Sequence, residues 1–169
     1  MTQRVPEFLA EDEISTLEGK VAQIFGVGPE DVMVAIEQKE VEIPDPFHDG
    51  ARGKRPAQVI TFAEDDFPTP KRVLLEVVVA DAIFLGVSAV HRMPYATDLV
   101  RYAERLDKPD KLRRVIIDDN LAVLEFREPL SGWEAARLVR ALALGWTARD
   151  IIWDEESGAW VAACYGYLQ

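Results

Sequence analysis

Apolar residues recur along this chain with two periods, and the places where one gives way to the other predict its elements. Ile14, Leu17, Val21, Ile24 and Phe25 fall at helical spacing, with Glu11, Asp12 and Glu13 where carboxylates favour a helix start and Gly26 as a stop. From Val32 to Ile43 the period shortens, with Val32, Val34 and Ile36 on one parity, which predicts a strand or a strand pair. Ala57 to Ala63 is a further strand. Glu64 to Pro70 is a turn-rich connection, and Lys71 to Ala80 is a strand with so little polar content that a central position follows. This first group of strands grows by meander. Between Pro44 and Pro56, glycine and proline are dense and Arg52, Lys54 and Arg55 cluster, which reads as a mobile loop.

The second half is more sharply punctuated. Leu112 to Ile117 and Leu121 to Phe126 are β-rich runs on either side of Asp118-Asp119-Asn120, residues that tolerate left-handed backbone angles, so a hairpin is expected. Ser131-Gly132-Trp133-Glu134 has capping-box spacing: the serine hydroxyl accepts a backbone N–H while the glutamate reaches back to the serine N–H. A helix begins there and stops at Gly145. Upstream, Thr97 can cap a short helix over Asp98 to Leu106, with Leu99, Tyr102, Ala103 and Leu106 along one stripe. Arg149 to Trp153 and Gly158 to Cys164 flank Asp-Glu-Glu-Ser as a final hairpin. The predicted order is α-β-β-β-α-β-β-α plus a C-terminal hairpin, an α+β chain forming one domain over residues 1–169 or two small subdomains sharing a core.

Composition narrows the function classes. Of 169 residues 49% are hydrophobic, enough for a folded core. Thirty acidic against nineteen basic residues leave a net charge of -11, which opposes direct binding to nucleic acid or to an anionic membrane and favours a basic partner. Solubility alone also accounts for such a charge. Cys164 is the single cysteine, so no internal disulfide is expected and a reducing cytoplasm is the natural setting. Met1 to Ala10 lacks the apolar core of a secretory signal, and Glu76, Asp81 and Gly86 interrupt the only long apolar stretch, so no membrane span is expected.

Catalytic chemistry finds little support. His48 with Asp45 and Asp49 offers three possible ligands, but a metal site would need more, and His91 is the only other imidazole. The acidic runs Glu64-Asp65-Asp66, Asp118-Asp119 and Asp154-Glu155-Glu156 fall in predicted turns, where adjacent acids face solvent. No phosphate-loop, dinucleotide, serine-hydrolase or zincin pattern occurs. The chain reads as no enzyme, with no cofactor and no metal. Trp133, Trp146, Trp153 and Trp160 crowd the last quarter, and tryptophan is common in binding hot spots. Trp133, in the first turn of its helix, and Trp160 are the exposed candidates; with Leu99 and Tyr102 they form a candidate protein-contact set. Core filling is the competing reading, above all for Trp146 and Trp153.

The hairpin Val-Ile-Ile-Asp-Asp-Asn-Leu-Ala-Val-Leu-Glu-Phe-Arg-Glu-Pro-Leu running into the capped helix Ser-Gly-Trp-Glu-Ala-Ala, with Lys71 to Val79 as the preceding strand, resembles YbjN-like proteins and the structurally related type III secretion chaperones. The hairpin after Gly145 departs from that pattern. The resemblance implies a curved antiparallel sheet with helices packed on it, a homodimer, and a role in holding a protein client. The expectation is a cytoplasmic, homodimeric, non-catalytic chaperone-like adaptor whose client is a basic protein, such as one that itself binds DNA or RNA. The alternative is a small-molecule-sensing regulatory domain with a pocket between the sheet and the middle helix, against which stands the lack of convergent polar residues near Phe84 and Tyr95.

Overall fold

The computed structural model describes residues 8–43, 53–64, 72–80, 100, 102–106, 108–118, 121–142, 146–154 and 159–166. Seven strands form one sheet: β1 (Val32–Glu42), β2 (Lys54–Glu64), β3 (Arg72–Ala80), β4 (Leu112–Asp118), β5 (Leu121–Phe126), β6 (Trp146–Asp154) and β7 (Ala159–Gly166), in the spatial order β1-β2-β3-β4-β5-β7-β6. Among the described residues, α-helices α1 (Glu11–Phe25) and α2 (Gly132–Leu142) complete the α+β architecture. The sheet is mixed and not antiparallel throughout: β3 and β4 run parallel, with Val77 opposite Val115 and Val79 opposite Ile117. A parallel neighbour needs a crossover, and the long connection between Ala80 and Leu112 supplies one. Hairpins announce themselves in local turn residues, whereas a parallel pair leaves no local signal.

Helix α1 forms where the apolar stripe predicts it. Ile14, Leu17, Val21 and Ala22 are buried, while Ile24 and Phe25 pack partly covered against the same core. Glu13 accepts the Ala10 N–H at 2.9 Å, half of a capping box, because alanine has no oxygen with which to reciprocate. Gly26 ends the helix at φ 67°, and both its N–H and that of Val27 return to the Ala22 carbonyl. In α2 the full box closes: the Ser131 hydroxyl accepts the Glu134 N–H at 3.1 Å and Glu134 accepts the Ser131 N–H at 3.2 Å. The middle helix differs from expectation. Val100 is helical, but Tyr102–Arg105 is a 3-10 turn; Val100, Ala103 and Leu106 lie three apart, the period of that tighter coil, and all are buried. Leu99 lies outside the described residues.

Strand parity divides the core in two. On the α1 face Ile60 and Phe62 of β2, Leu75, Val77 and Val79 of β3, Val115 and Ile117 of β4, and Leu124 and Phe126 of β5 form the main cluster. On the opposite face Ile43, Ala57, Val59, Val78, Ala80, Ile116 and Val123 form a smaller one. Strands β3 and β4 are thus buried on both sides, which accounts for their near-continuous apolar runs.

The loop expected over Pro44 to Pro56 is shorter. Lys54, Arg55 and Pro56 belong to β2, with Arg55 buried and Lys54 opposite Glu42. Among the described residues β3 pairing begins only at Ala57, so β1 is the single described strand neighbour of Pro56, a position that tolerates proline. Gly53, at φ 98°, accepts the Ile43 N–H at 3.1 Å and extends the β1–β2 ladder beyond Glu42 and Lys54. A Cβ there would meet nothing within 4 Å, so only the left-handed backbone penalises a side chain. Gly53→Ala is therefore expected to lower unfolding stability by about 1 kcal/mol, read as a shift in the urea midpoint at constant slope.

Candidate binding surfaces

Three surfaces have both exposure and a defined chemistry, and the sheet positions each of them. The first is the open edge. Among the described residues β1 pairs only with β2, so one of its two hydrogen-bonding edges has no described strand partner. That edge is open among the described residues; the strand is eleven residues long and exposed over most of its length, with Ile36 half exposed at 50% and Met33 at 37%. Glu37, Lys39, Glu40 and Glu42 are exposed along the same strand, and Lys39 lies 3.5 Å from Glu37. A long, flat edge is a template for another strand, and charge is what normally restrains it from indiscriminate pairing. The other outer strand of the sheet is β6.

The second surface is ionic and was not singled out by sequence reasoning. Sheet register places Thr61, Glu76, Arg114 and Glu125 in one row across β2, β3, β4 and β5. Glu125 is 1% exposed, yet both its oxygens are used: one accepts Arg113 Nη2 at 2.9 Å and the other Arg114 Nη2 at 2.7 Å. Arg114 also reaches Glu76 at 3.6 Å. Such a carboxylate tolerates burial only because two guanidiniums neutralise and bond it. Register shifts between Leu112 and Arg114, which leaves Arg113 as the extra residue and lets two consecutive arginines serve one glutamate.

Arg127, just past β5, extends the cluster. Its Nε donates to the Asp110 carbonyl at 3.0 Å and its Nη2 to the Val73 and Leu74 carbonyls at 3.0 and 2.6 Å, fastening the irregular start of β3 to the turn before β4. Burial and the neighbouring positive charge of Arg113 hold the Arg127 guanidinium below its usual range, with Arg72 adding to the effect and Asp110 opposing it. Between these side chains lies an open groove of about 370 Å³ lined by Val73, Glu76, Arg113, Arg114, Glu125 and Arg127. A smaller hollow of about 180 Å³, lined by Phe25, Arg72 and Asp110 among others, shares Val73 and Arg127 with it. Lys111 nearby donates to buried Glu134 at 2.7 Å, so the capping glutamate of α2 also anchors the helix start to the foot of β4.

The third surface is Trp133, 62% exposed at the start of α2. Arg137, one turn on, lies over its ring at 4.4 Å from the centroid, which covers part of one aromatic face from within the same helix. Of the other expected contact residues, Tyr102 sits in the 3-10 turn and Trp160 in β7, in register with Trp153 of β6. Leu99, His48, His91, Phe84 and Tyr95 lie outside the described residues. Of the acidic runs, Glu64 is in β2 and pairs with Arg72 at 2.9 Å, while Asp118 and Asp154 end strands. Cys164 is in β7, in register with Ala122 and Ala148. The missed cluster had one sequence signal: Glu125 is the lone charge inside Leu121–Phe126, opposite the consecutive pair Arg113-Arg114.

With this arrangement in view, comparison with protein-family models, curated proteins and solved structures gives no match for the chain. The class defined is thus the fold itself, a seven-stranded mixed sheet with helices in an α+β chain. No helix among the described residues is long and apolar enough to cross a membrane.

Glu125→Ala would leave two guanidiniums without their buried partner. Unfolding stability is expected to fall by about 2 kcal/mol, less than for a fully enclosed pair because both arginines reach solvent, while Arg113→Ala costs about 1 kcal/mol. Urea denaturation of the two variants measures the difference, and equal effects would contradict Glu125 as the hub.

Proposed function

We propose that this protein is a non-catalytic, chaperone-like adaptor that holds an extended segment of a basic client protein by adding it as a strand along β1. The observation that carries this reading is the eleven-residue β1 edge, unpaired on one side among the described residues, with apolar Ile36 and Met33 set among Glu37, Glu40 and Glu42. Main-chain hydrogen bonds give affinity to such an added strand, and alternating side chains give selectivity. Three carboxylates against the single Lys39 favour a cationic segment, in keeping with a net charge of -11. A client whose basic face binds DNA or RNA has the matching charge. The lone Cys164 suits a reducing cytoplasm.

The test uses two synthetic peptides of alternating sequence, one valine–lysine and one valine–glutamate, with amide hydrogen exchange as the readout. The basic peptide is expected to slow exchange within Val32–Glu42, to lose about tenfold in affinity between low and high salt, and to lose protection in Ile36→Arg. Protection of other strands only, or equal binding of the acidic peptide, would sink the reading.

A second reading of the same edge is a homodimer, favoured by one feature of its charge pattern. When two β1 strands pair antiparallel about Gln38, Glu37 of each faces Lys39 of the other, a favourable cross-strand arrangement. Glu37→Lys is then expected to shift sedimentation toward monomer, and Glu37→Lys combined with Lys39→Glu to restore the dimer. An unchanged assembly state in both variants excludes this pairing.

A further inference from the structure

We propose that the groove over β3, β4 and β5 is an oxyanion-binding site, taking a phosphate or carboxylate group of a small ligand between Arg113, Arg114 and Arg127. The groove combines features that ordinary surface ion pairs lack. Its volume, about 370 Å³, is within the range of small-ligand pockets, and it is open to solvent at exposed Val73. Three guanidiniums line it against two carboxylates, so it carries net positive charge in a protein that is otherwise strongly acidic. An anion repelled by most of the molecule is therefore attracted here.

The arginines are also held in advance of any ligand. Glu125, 1% exposed, fixes Arg113 with one oxygen and Arg114 with the other, so neither guanidinium has to lose much freedom on binding. Arg127 is fixed by backbone carbonyls of Asp110, Val73 and Leu74, and no carboxylate lies within ion-pair distance of it among the described residues. Its charge is bonded but not neutralised. The positive charges of Arg113 and Arg72 both act on it, a repulsion that an anion bound between Arg113 and Arg127 relieves. Arg114, which also lines the groove, has a buried Nε without a hydrogen-bond partner among the described residues. Guanidinium forks match the oxygens of phosphate and carboxylate alike, which defines the chemistry as oxyanion recognition. Val73 gives the ligand an apolar contact beside its charged group. The site is independent of β1, which lies at the sheet margin, two strands away from β3.

The experiment titrates the intact protein with inorganic phosphate and, separately, with succinate, against sodium chloride of matched ionic strength. Binding is followed by amide chemical shifts of β3 to β5 and by thermal unfolding. Saturable shifts centred on Val73, Arg114 and Arg127 are expected, with a rise in Tm beyond the chloride control. Tighter binding of phosphate identifies a phosphorylated ligand class, and tighter binding of succinate a carboxylic acid. Arg127→Gln is expected to weaken either ligand about tenfold, the loss of one charge-assisted contact, as is Arg113→Gln, whose half-exposed side chain puts folding less at risk. Arg137→Gln, on α2 beside Trp133, serves as the control and binds unchanged. Shifts no greater than those in chloride, or affinities unaltered in folded Arg113→Gln and Arg127→Gln, overturn the proposal.

Discussion

The parallel contact between β3 and β4 is the constraint on which this architecture rests. Every other neighbouring pair in the sheet is antiparallel, and without this join the β1–β2–β3 meander and the β4–β5–β7–β6 half would be separate sheets with exposed edges. The join carries Val77, Val78 and Val79 alongside Val115, Ile116 and Ile117, all buried, so apolar surface is removed from water on both faces of the seam. It also brings Glu76 beside Arg114, which Glu125 meets from the other side. The main core and the ionic row are therefore products of one pairing, and neither half of the chain holds the groove alone.

Buried charge is used in the same structural role twice. Glu125 ties two consecutive arginines of β4 to β5, and Glu134 ties the start of α2 to Lys111 at the foot of β4. Each carboxylate is 1% exposed and each accepts from a cation of a neighbouring element, Glu134 also from the Ser131 N–H of its own helix cap. Apolar packing tolerates small slips; a buried carboxylate with two fixed donors tolerates far less. These contacts thus define register and helix placement around β4 more sharply than the surrounding valines and isoleucines do.

Local signals in the chain were legible and long-range ones were not. The stripe of α1, the Gly26 stop, the Ser131 and Glu134 box and the β4–β5 hairpin each depend on residues within a few positions of one another, and each formed as its residues indicate. The parallel orientation of β4 depends on where a long connection returns, and no turn residue encodes that. Basic residues beside glycine and proline pointed to a loop where Arg55 and Pro56 instead extend β2, because pairing with β1 outweighed local composition. Trp133 was legible as an exposed aromatic from its place in a first helical turn. The arginine groove was not, since its members come from three strands and converge only through register, although the isolated Glu125 within an apolar strand was a visible anomaly.

The parallel seam has a kinetic consequence. Strands β1 and β2, β2 and β3, and β4 and β5 are sequence neighbours whose ladders close over short chain distances, so their ordering entropy is modest. The seam joins residues separated by the whole crossover, and β5 meets β7 only after α2 and β6 have been traversed. Chain closure on that scale is slow relative to hairpin formation. The meander and the hairpin around β4 can therefore assemble as separate units, and their docking along β3 and β4 becomes the step that commits the chain to its native state.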